Sequence, residues 1–593
     1  MLGLISLVLA ASRLTTALDC KCSPSDPCWP ADSEWASLNE TISGHLIRTV
    51  PLGAVCYRAE SVYNPEACTT VLANWSTSAF HSADPASIDD PMWANNSCNP
   101  IYSNGTSLTG NIHAGEKGCS IGNYPPFVVN ATEPGHVQAA LKFARRWNLR
   151  LNIKNTGHGS ERSTGHGSLS IWTHNLKQIQ FHENFQPQSC KTGTRVNETQ
   201  MATTLGAGVQ DGELFKAMSK HKAIAVGGTN ADVGVVGWAT GGGHGLATGK
   251  YGMGADNIIE AVVVTPTGEV VTANACQNRD LFWAIRGGGG GTFGVILSVT
   301  LKAYPMPSVT LVNLSMSAKN GTHPSSWYRF VARAHAHLDL LQEAGVHGYY
   351  TMGGGSLTLQ GALLIYDAQN GTVENLLAPM RRFFDASNAT ATSSLTPLVT
   401  LPWYELVEMM PTTESVGTKQ SVRASRFIPR KVVKDDIELF AETLEAITSH
   451  PGPLNDGVSP PSISGTMTGS RTPVDNALNP AWRDSVVHII TSQSWDESLP
   501  PAVADRVVHN MTYQKGYALR QLAPDTGAYF NEANANEPTW QWSFFGDHYP
   551  RLQSIKQKYD PEGLLWCRQC GKREMDGTGG WEALPCLLRG LSS

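Results

Sequence analysis

Two features that the sequence lacks exclude large classes of function. The net charge is −6 and no block of basic residues occurs, so the chain has no electrostatic footprint for nucleic acid. Beyond the amino terminus, no uninterrupted apolar run reaches the ~18 residues that a membrane-spanning helix needs, and we expect no membrane association. Charged residues make up only 16% of the chain and hydrophobic residues 41%, which is typical of a folded globular protein.

The amino terminus and the cysteines indicate an oxidising, secretory compartment. An apolar segment at residues 2–11 precedes the small residues Thr15, Thr16 and Ala17, a pattern that predicts a signal peptide over residues 1–17. The 12 cysteines include a C-x-x-C pair, Cys567 and Cys570, which beside a signal peptide is better explained by disulfides than by metal. We therefore predict a protein that is secreted or held in vesicles, with no metal site and with a disulfide pairing that the sequence leaves open.

Asn-X-Ser/Thr acceptors agree with this compartment, because N-glycosylation occurs on surface loops of secreted proteins. The predicted acceptors are Asn39, Asn74, Asn95, Asn104, Asn130, Asn197, Asn313, Asn320, Asn370, Asn388 and Asn510.

The chain is organised around a histidine between glycines. Residues 149–154 alternate in the manner of a half-buried strand, residues 155–159 read NTGHG, and a second alternating run follows at residues 168–172. The glycines remove side-chain bulk beside His158, so a flat cofactor could approach the imidazole closely. An ordinary turn remains an alternative for this loop, and two histidines without a third ligand are weak evidence for zinc.

Two further glycine-rich segments have the composition of cofactor loops. Residues 227–254 combine dense glycine with buried-type residues such as Val233 and Trp238, which a flexible linker would not carry. Bare backbone amides there could approach a pyrophosphate or a flavin edge. Residues 286–294 read RGGGGGTFG and formally match G-x-G-x-x-G, but no strand precedes and no helix follows. We therefore reject NAD binding.

Helices and strands alternate between these segments, which predicts an α/β lobe. Thr132 is expected to cap one helix and Asp211 a second, with strands at residues 202–209 and 224–226. Residues 18–119 have no sustained period, so we expect an irregular, disulfide-stapled extension with little catalytic content.

The ordered motifs resemble the FAD domain of the vanillyl-alcohol-oxidase superfamily, with its PCMH-type FAD-binding fold. They are NTGHG (155–159), GSLSIWTHNLK (167–177), GTNADVGVVGWATGGGHG (228–245), ADNIIEAVVVTPTGE (255–269) and RGGGGGTFGVI (286–296). The segment WSFFGDHYPRLQSIKQKYDPEGLL (542–565) resembles the C-terminal signature of the berberine-bridge-enzyme-like branch. The cysteine-rich front is similar to that of secreted fungal FAD-linked oxidases of secondary metabolism.

The resemblance implies an α+β fold with a two-lobed FAD-binding domain and an antiparallel-sheet substrate domain backed by helices. The implied divisions are a signal peptide (1–17), a Cys-rich N-terminal extension (18–119), the FAD-binding PCMH-type domain (120–306), the substrate domain (307–527), a segment returning to the FAD domain (528–575) and a tail (576–593).

The resemblance also implies covalent FAD, attached through the ring of His158 to the flavin 8α-carbon. Asn230 occupies the position at which related chains carry a second, cysteinyl link, so a single attachment is expected, with His166 as a weaker rival to His158. Val233 matches a small residue associated with oxygen access, which favours an oxidase over a dehydrogenase. The implied cofactor-binding residues are His158, Asn155, Thr156, Gly157, Gly159, Gly228, Thr229, Asn230, Val233, Gly234, Gly237, Gly242, Gly243, Gly245 and Ile259.

Alternation places Tyr529 and Asn531 on one face of a predicted strand, and the resemblance places them at the reactive edge of the flavin. We expect Tyr529 to act as the base and Asn531 to orient it; Glu532 is a rival base, and a structural role for Tyr529 stays open. The predicted protein is a monomeric oxidase that uses O₂ and a small-molecule alcohol, such as a polyketide. Oxidative cyclisation or desaturation, oligosaccharide oxidation, and a flavoprotein without turnover are the alternatives.

Overall fold

A computed structural model describes residues 21–190, 200–353, 355–369, 371–410, 415–450 and 456–565. The predicted signal peptide, the acceptors Asn197 and Asn370, and the C-terminal cysteines from Cys567 onward lie outside the described residues. Within the described ranges, no helix is both long enough and apolar enough to cross a membrane. The fold is α+β, as predicted, and is built on three main sheets.

The first sheet carries the loop with His158. Its four strands, in spatial order, are Leu46–Arg48, Phe127–Asn130, Ser168–Trp172 and Arg150–Lys154. The last two are parallel, with Leu151 opposite Leu169, and both coincide with the predicted alternating runs. Helix Pro134–Arg146 contributes to the core beneath this sheet. Its N-cap is Glu133 rather than the predicted Thr132, because Pro134 is favoured at the first helical position.

The second sheet is antiparallel and has five strands. In order they are Ile179–Phe185, Gln200–Gly206, Val295–Lys302, Ile258–Val264 and Val270–Asn274. Gln210, not the predicted Asp211, caps the following helix Asp211–Ser219 and forms a capping box with Glu213. The carboxylate of Asp211 instead accepts the backbone N–H of Gly228 at 2.9 Å. The strand predicted at residues 224–226 is the two-residue strand Ala223–Ile224, paired with Tyr304–Pro305.

The third sheet has seven antiparallel strands, as expected of the substrate domain. In order they are Ala391–Pro402, Ser308–Ala318, Thr358–Tyr366, Val346–Met352, Ser462–Thr466, Ser485–Trp495 and Gln420–Pro429. Helices Pro324–Glu343, Thr372–Ala386 and Ile437–Thr448 pack with one face of the sheet in a large apolar core. On the opposite face, Val309 and Leu364 pack into the core of the second sheet, whereas small polar residues such as Ser462 and Ser464 remain uncovered.

The N-terminal extension is more ordered than predicted. Its helices Asp32–Thr41 and Pro65–Asn74 were not expected, and its strand Leu46–Arg48 completes the first sheet. Disulfides join Cys22 to Cys28, Cys56 to Cys68 and Cys98 to Cys119, and a fourth joins Cys190 to Cys276. Long-range pairing of the extension with the main body created this order, and such pairing leaves no local sequence period.

The remaining helices are short or peripheral. They are Ser78–Ser82, Ala114–Lys117, Ser160–Ser163, Val235–Thr240, Thr248–Tyr251, Gly254–Asn257, Arg279–Ala284, Trp403–Met409, Arg430–Asp435, Pro501–Asn510, Gly516–Leu522, Trp540–Phe545 and Tyr549–Tyr559.

Candidate active site

A cavity of about 920 Å³ lies between the glycine-rich segments and the uncovered face of the seven-stranded sheet. One wall consists of residues 151–159, 228–237 and 290–296, and the opposite wall of residues from 415–423, 459–466 and 490–494. The volume lies near the upper end of the ~300–1,000 Å³ that is usual for cofactor and ligand pockets. The cavity therefore has room for an extended ligand that reaches both walls.

His158 lies on the cavity wall, in the loop between two parallel strands, as predicted. Its side chain is 23% exposed, and its Nδ1 lies 3.1 Å from Oγ1 of Thr156. Gly157 has a φ of +100°, a value that L side chains rarely adopt, so a glycine is required immediately before the histidine. His166, the rival for attachment, is exposed and is not part of the cavity wall.

The N-terminal extension supplies two residues beside His158 that sequence reasoning missed. Oγ of Ser78 lies 3.3 Å from Nε2 of His158 and donates a 2.9 Å hydrogen bond to Oδ2 of Asp89. The same Asp89 oxygen is 3.5 Å from Nδ1 of His158. Burial raises the pKa of Asp89 to about 8, and the neighbouring carboxylates of Asp90 and Asp232 add to that rise. The extension therefore contributes side chains to the surroundings of His158, which the sequence analysis did not predict.

Most of the predicted cofactor-binding residues lie on the cavity wall. The eleven residues that do so are Asn155, Thr156, Gly157, His158, Gly159, Gly228, Thr229, Asn230, Val233, Gly234 and Gly237. Four predicted residues, Gly242, Gly243, Gly245 and Ile259, are not part of the wall. Gly243 instead donates its backbone N–H to the hydroxyl of Tyr529 at 3.2 Å.

Tyr529 and Asn531 lie together on the cavity wall, but they are not on a strand. Tyr529 has extended backbone dihedrals and Phe530–Glu532 is a 3₁₀ turn, so the predicted alternation is wrong although the two side chains do meet. The amide Nδ2 of Asn531 donates a 2.6 Å hydrogen bond to the Tyr529 hydroxyl. Oδ1 of Asn531 accepts a 2.6 Å hydrogen bond from Arg162, which lies four residues after His158 in the short helix Ser160–Ser163. Arg162 thus connects the two predicted parts of the site.

Burial raises the pKa of Tyr529, and the negative charge of Glu532 raises it further. The hydrogen bonds from Asn531 and from the backbone of Gly243 oppose that rise, as does the charge of Arg162. Each of these three groups stabilises the phenolate, but burial outweighs them and the net effect is a raised pKa, so the neutral phenol is the resting form of Tyr529.

His244 forms a second polar group beside Tyr529, and the sequence interpretation missed it. Its Nε2 lies 3.0 Å from Oε1 of Glu532, and its Nδ1 lies 3.0 Å from the hydroxyl of Tyr349. Burial favours the neutral form of Glu532, but the charge of His244 and its hydrogen bond outweigh burial and lower the pKa of Glu532 to about 2. Glu532 is therefore a carboxylate at neutral pH. The signal for His244 was available, since GGGHG repeats the glycine-flanked histidine of NTGHG.

The residues of the cavity fit an FAD. A Cβ added to Gly237 would meet no other atom within 4 Å, so this glycine leaves space at the wall for a ligand. Gly291, also on the wall, has a φ of +71° and exposes its backbone closely to the cavity. Bare backbone of this kind is suited to a pyrophosphate or to a planar ring.

Comparisons with known proteins support the same cofactor. Residues 125–274 match the FAD binding domain family model, and residues 528–570 match the family described as berberine and berberine like. The FAD-linked oxidoreductase ZEB1 of Gibberella zeae is 33% identical over 574 residues, which cover 95% of this chain and 94% of that protein. The chain belongs to the vanillyl-alcohol-oxidase flavoprotein family. Within this family it falls in the berberine-bridge-like branch, and it is an FAD-linked oxidoreductase.

Solved structures agree with this assignment. The crystal structure of the VAO-type flavoprotein MtVAO615 from Myceliophthora thermophila has a TM-score of 0.82 at 31% identity, covering 93% of this chain and 96% of that chain. The glucooligosaccharide oxidase of Acremonium strictum has a TM-score of 0.60 at 20% identity, covering 75% and 91% of the two chains. The second similarity shows the fold alone.

Proposed function

We propose that this flavoprotein is an oxidase that converts the CH–OH group of a small alcohol into a carbonyl. The carbon loses a hydride, the hydroxyl loses a proton, and O₂ takes up the two electrons and two protons as H₂O₂. Bound FAD supplies the two-electron acceptor that O₂ reoxidises. The observation that carries the proposal is that Tyr529 lines the same cavity as His158 and that its hydroxyl oxygen accepts a hydrogen bond from Asn531.

In this proposal Tyr529 removes the hydroxyl proton of the substrate. Asn531 fixes the phenol, and Arg162 fixes Asn531 in turn. Glu532 is less suited to the role of base, because a carboxylate with a pKa of about 2 binds a proton weakly. Glu532 instead fixes the imidazole of His244, which contacts Glu532 through Nε2 and the Tyr349 hydroxyl through Nδ1.

We further propose that His158 holds the FAD covalently, as a single attachment at the flavin 8α-carbon. The structurally similar glucooligosaccharide oxidase from Acremonium strictum carries 6-S-cysteinyl, 8α-N1-histidyl FAD. The family resemblance implies that Asn230 occupies the position of the second link in this chain, and Asn230 lines the cavity. A tether would keep a secreted enzyme active where free FAD is absent.

The proposed substrate is an alcohol of a fungal secondary metabolite, such as a polyketide, and the support is the similarity to fungal FAD-linked oxidoreductases. Oxidative cyclisation or desaturation of such a compound would use the same hydride loss. Oligosaccharide oxidation is the second candidate, and the observation that favours it is the hydroxyl-rich wall of Ser462, Ser464, Thr466, Ser492 and Ser494.

Secretion, glycosylation and a monomeric state complete the proposal, and they rest on the sequence signals. Of the predicted acceptors, the nine in the described residues are exposed or half-buried, as glycan attachment requires.

The proposal is tested with protein secreted from a fungal host. Acid precipitation and peptide mapping should leave yellow colour on a peptide that contains His158. Peroxide release is then measured with a panel of hydrophobic alcohols and, in parallel, with cello-oligosaccharides. Release with the alcohols supports the first candidate, and release with the oligosaccharides alone supports the second. A yellow protein that releases no peroxide with any compound would contradict an oxidase function.

A further inference from the structure

We infer that the substrate of this enzyme is an anion, and that Arg423 binds its carboxylate or an equivalent group. This inference deepens the proposed function and depends on it for the reaction, although binding of the anion is tested separately below.

Arg423 lies on the cavity wall opposite His158, which is formed by residues from 415–423, 459–466 and 490–494. It lies on strand Gln420–Pro429 at the edge of the seven-stranded sheet, and in register it is opposite Ser492. Ser492 is in turn opposite Ser462, and the two serine hydroxyls lie 3.1 Å apart. All three residues line the cavity, so the guanidinium is part of a polar row that faces the ligand space.

Within the residues that the structure describes, the guanidinium of Arg423 has no hydrogen bond and no ion pair. The other half-buried arginine on the cavity wall, Arg162, is held by Asn531 and Glu161. A guanidinium has five N–H donors in a planar fork that matches a carboxylate, and a half-buried one needs acceptors. The ligand space is the place where those acceptors can come from.

The charge of Arg423 acts on the reactive end of the cavity. Burial favours the neutral forms of Asp90 and Glu532, and Arg423 opposes that effect by lowering the pKa of each carboxyl. Neither carboxylate lies within ion-pair distance of it. Lys419, exposed at the same wall, adds a second positive charge on the substrate side. An anionic ligand therefore meets complementary charge there.

The sheet register indicates how far the anion is from the carbon that is oxidised. His488 marks the reactive row, because its Nε2 accepts the backbone N–H of Tyr529 at 3.3 Å. His488 is opposite Phe427, four residues along the strand from Arg423. Four residues of antiparallel strand span about 14 Å, and side chains stand roughly perpendicular to the strand direction. The register therefore separates the anion site from the reactive row by up to about 14 Å.

The wall between these two points carries hydroxyl groups together with one apolar side chain. The positions that face the cavity there include Ser464 and Ser492 beside Ile490. A hydroxy acid fits this row better than a wholly apolar alcohol does. The predicted substrate class is thus an alcohol that bears a carboxylate at the far end.

The test uses the holoenzyme and two pairs of probes. The binding pair is 4-methylbenzoate and 4-methylbenzamide, followed by the change in the visible flavin spectrum. The reaction pair is 4-(hydroxymethyl)benzoate and its amide, followed by peroxide release. Wild type, Arg423→Gln and Arg423→Lys are compared. Arg329→Gln is the matched control, because Arg329 is an exposed arginine paired with Glu438 on an outer helix and its loss changes the net charge equally.

We expect wild type and Arg329→Gln to bind the acid at least tenfold more tightly than the amide. Arg423→Gln should weaken acid binding about 10- to 100-fold and change amide binding less than threefold. The affinity of Arg423→Lys for the acid should lie between those of wild type and Arg423→Gln, since lysine retains the charge without the planar fork. Binding of the acid by wild type should also weaken as salt rises.

Several outcomes overturn the inference: equal binding of acid and amide by wild type, binding of neither probe, or an acid preference that survives in Arg423→Gln. If the acid binds through Arg423 but no alcohol in the panel releases peroxide, the anion site stands and the oxidase function is contradicted. The two failures are therefore distinguishable.

Discussion

The hydroxyl of Tyr529 accepts a 2.6 Å hydrogen bond from Nδ2 of Asn531, across the 3₁₀ turn that follows the tyrosine. In a strand, residues i and i+2 also share a face, but their side chains stand parallel and seldom bond to each other through their ends. The turn brings the amide onto the phenol oxygen. A neighbour that can only donate to this oxygen stabilises its deprotonated form.

Replacement of Tyr529 by phenylalanine tests its role as the base. We expect kcat to fall about 10²- to 10⁴-fold with the flavin spectrum retained, because general-base catalysis contributes a factor of this size. Burial raises the pKa of Tyr529, so the activity of wild type should rise with pH through the neutral and alkaline range, and this rise should disappear in the variant. Steady-state kinetics from pH 6 to 10 measure both effects.

Tyr304→Phe is the control for this prediction. Tyr304 is another largely buried tyrosine whose hydroxyl donates to Oδ1 of Asn257 at 2.8 Å, away from the cavity wall. The Tyr304→Phe substitution should lower the melting temperature slightly without changing the dependence of kcat on pH. A similar loss of kcat in both variants would assign Tyr529 a structural role instead.

Replacement of His158 by alanine should leave an FAD that denaturant removes. No other group on the wall is proposed to bond the flavin, so colour should pass to the supernatant after acid precipitation. His166→Ala is the matched control, since His166 is exposed and its Nδ1 lies 3.3 Å from the carbonyl oxygen of Gly122. It should keep its flavin. Colour that stays with the protein in the His158 variant would show that the attachment lies elsewhere.

Asp89 should make the stability of the protein depend on pH. Its folded pKa of about 8 lies above the ordinary 3.8, so between these values the unfolded chain binds fewer protons than the folded one. The contribution of Asp89 to the free energy of unfolding is fully present below about pH 4. It decreases by about 1.4 kcal/mol per pH unit as the pH rises towards 8. Asp89→Asn removes the titrating group. The free energy of unfolding of wild type minus that of the variant should therefore fall from pH 5 to pH 8.

Melting temperatures at matched pH values measure this difference. Asp32→Asn, at the exposed start of a helix, controls for the loss of a carboxylate on the surface. Parallel curves for wild type and the Asp89 variant would show that Asp89 is ionised in the folded protein.

Glycan occupancy should follow exposure of the acceptors. Asn74, Asn104, Asn320 and Asn388 are exposed, whereas Oδ1 of Asn130 accepts a 2.7 Å hydrogen bond from Asn175. We expect the exposed acceptors to be modified first and Asn130 least. Enzymatic deglycosylation in H₂¹⁸O followed by peptide mass spectrometry measures the occupancy of each position. Higher occupancy at Asn130 than at the exposed acceptors would contradict this order.

The sequence alone could predict those parts of the site that depend on neighbouring residues. The loop at His158 was predictable because glycines and the strands beside it leave a local signature in period and residue size. Eleven of the predicted cofactor-binding residues likewise line the cavity. The other four, Gly242, Gly243, Gly245 and Ile259, do not line it, because a local motif does not show which side of a loop or strand faces the ligand.

Only the tertiary structure decided which distant residues meet. Ser78 and Asp89 reach His158 from an extension about 70 residues earlier, and His244 pairs with Glu532 across nearly 300 residues. Arg423 becomes part of a ligand-facing row only when its strand pairs with the strand of Ser492. These contacts depend on sheet register and on packing between segments that are remote in the chain. A single sequence carries no periodic or compositional signal for either, so its local patterns indicate the cofactor while the fold determines the chemistry around it.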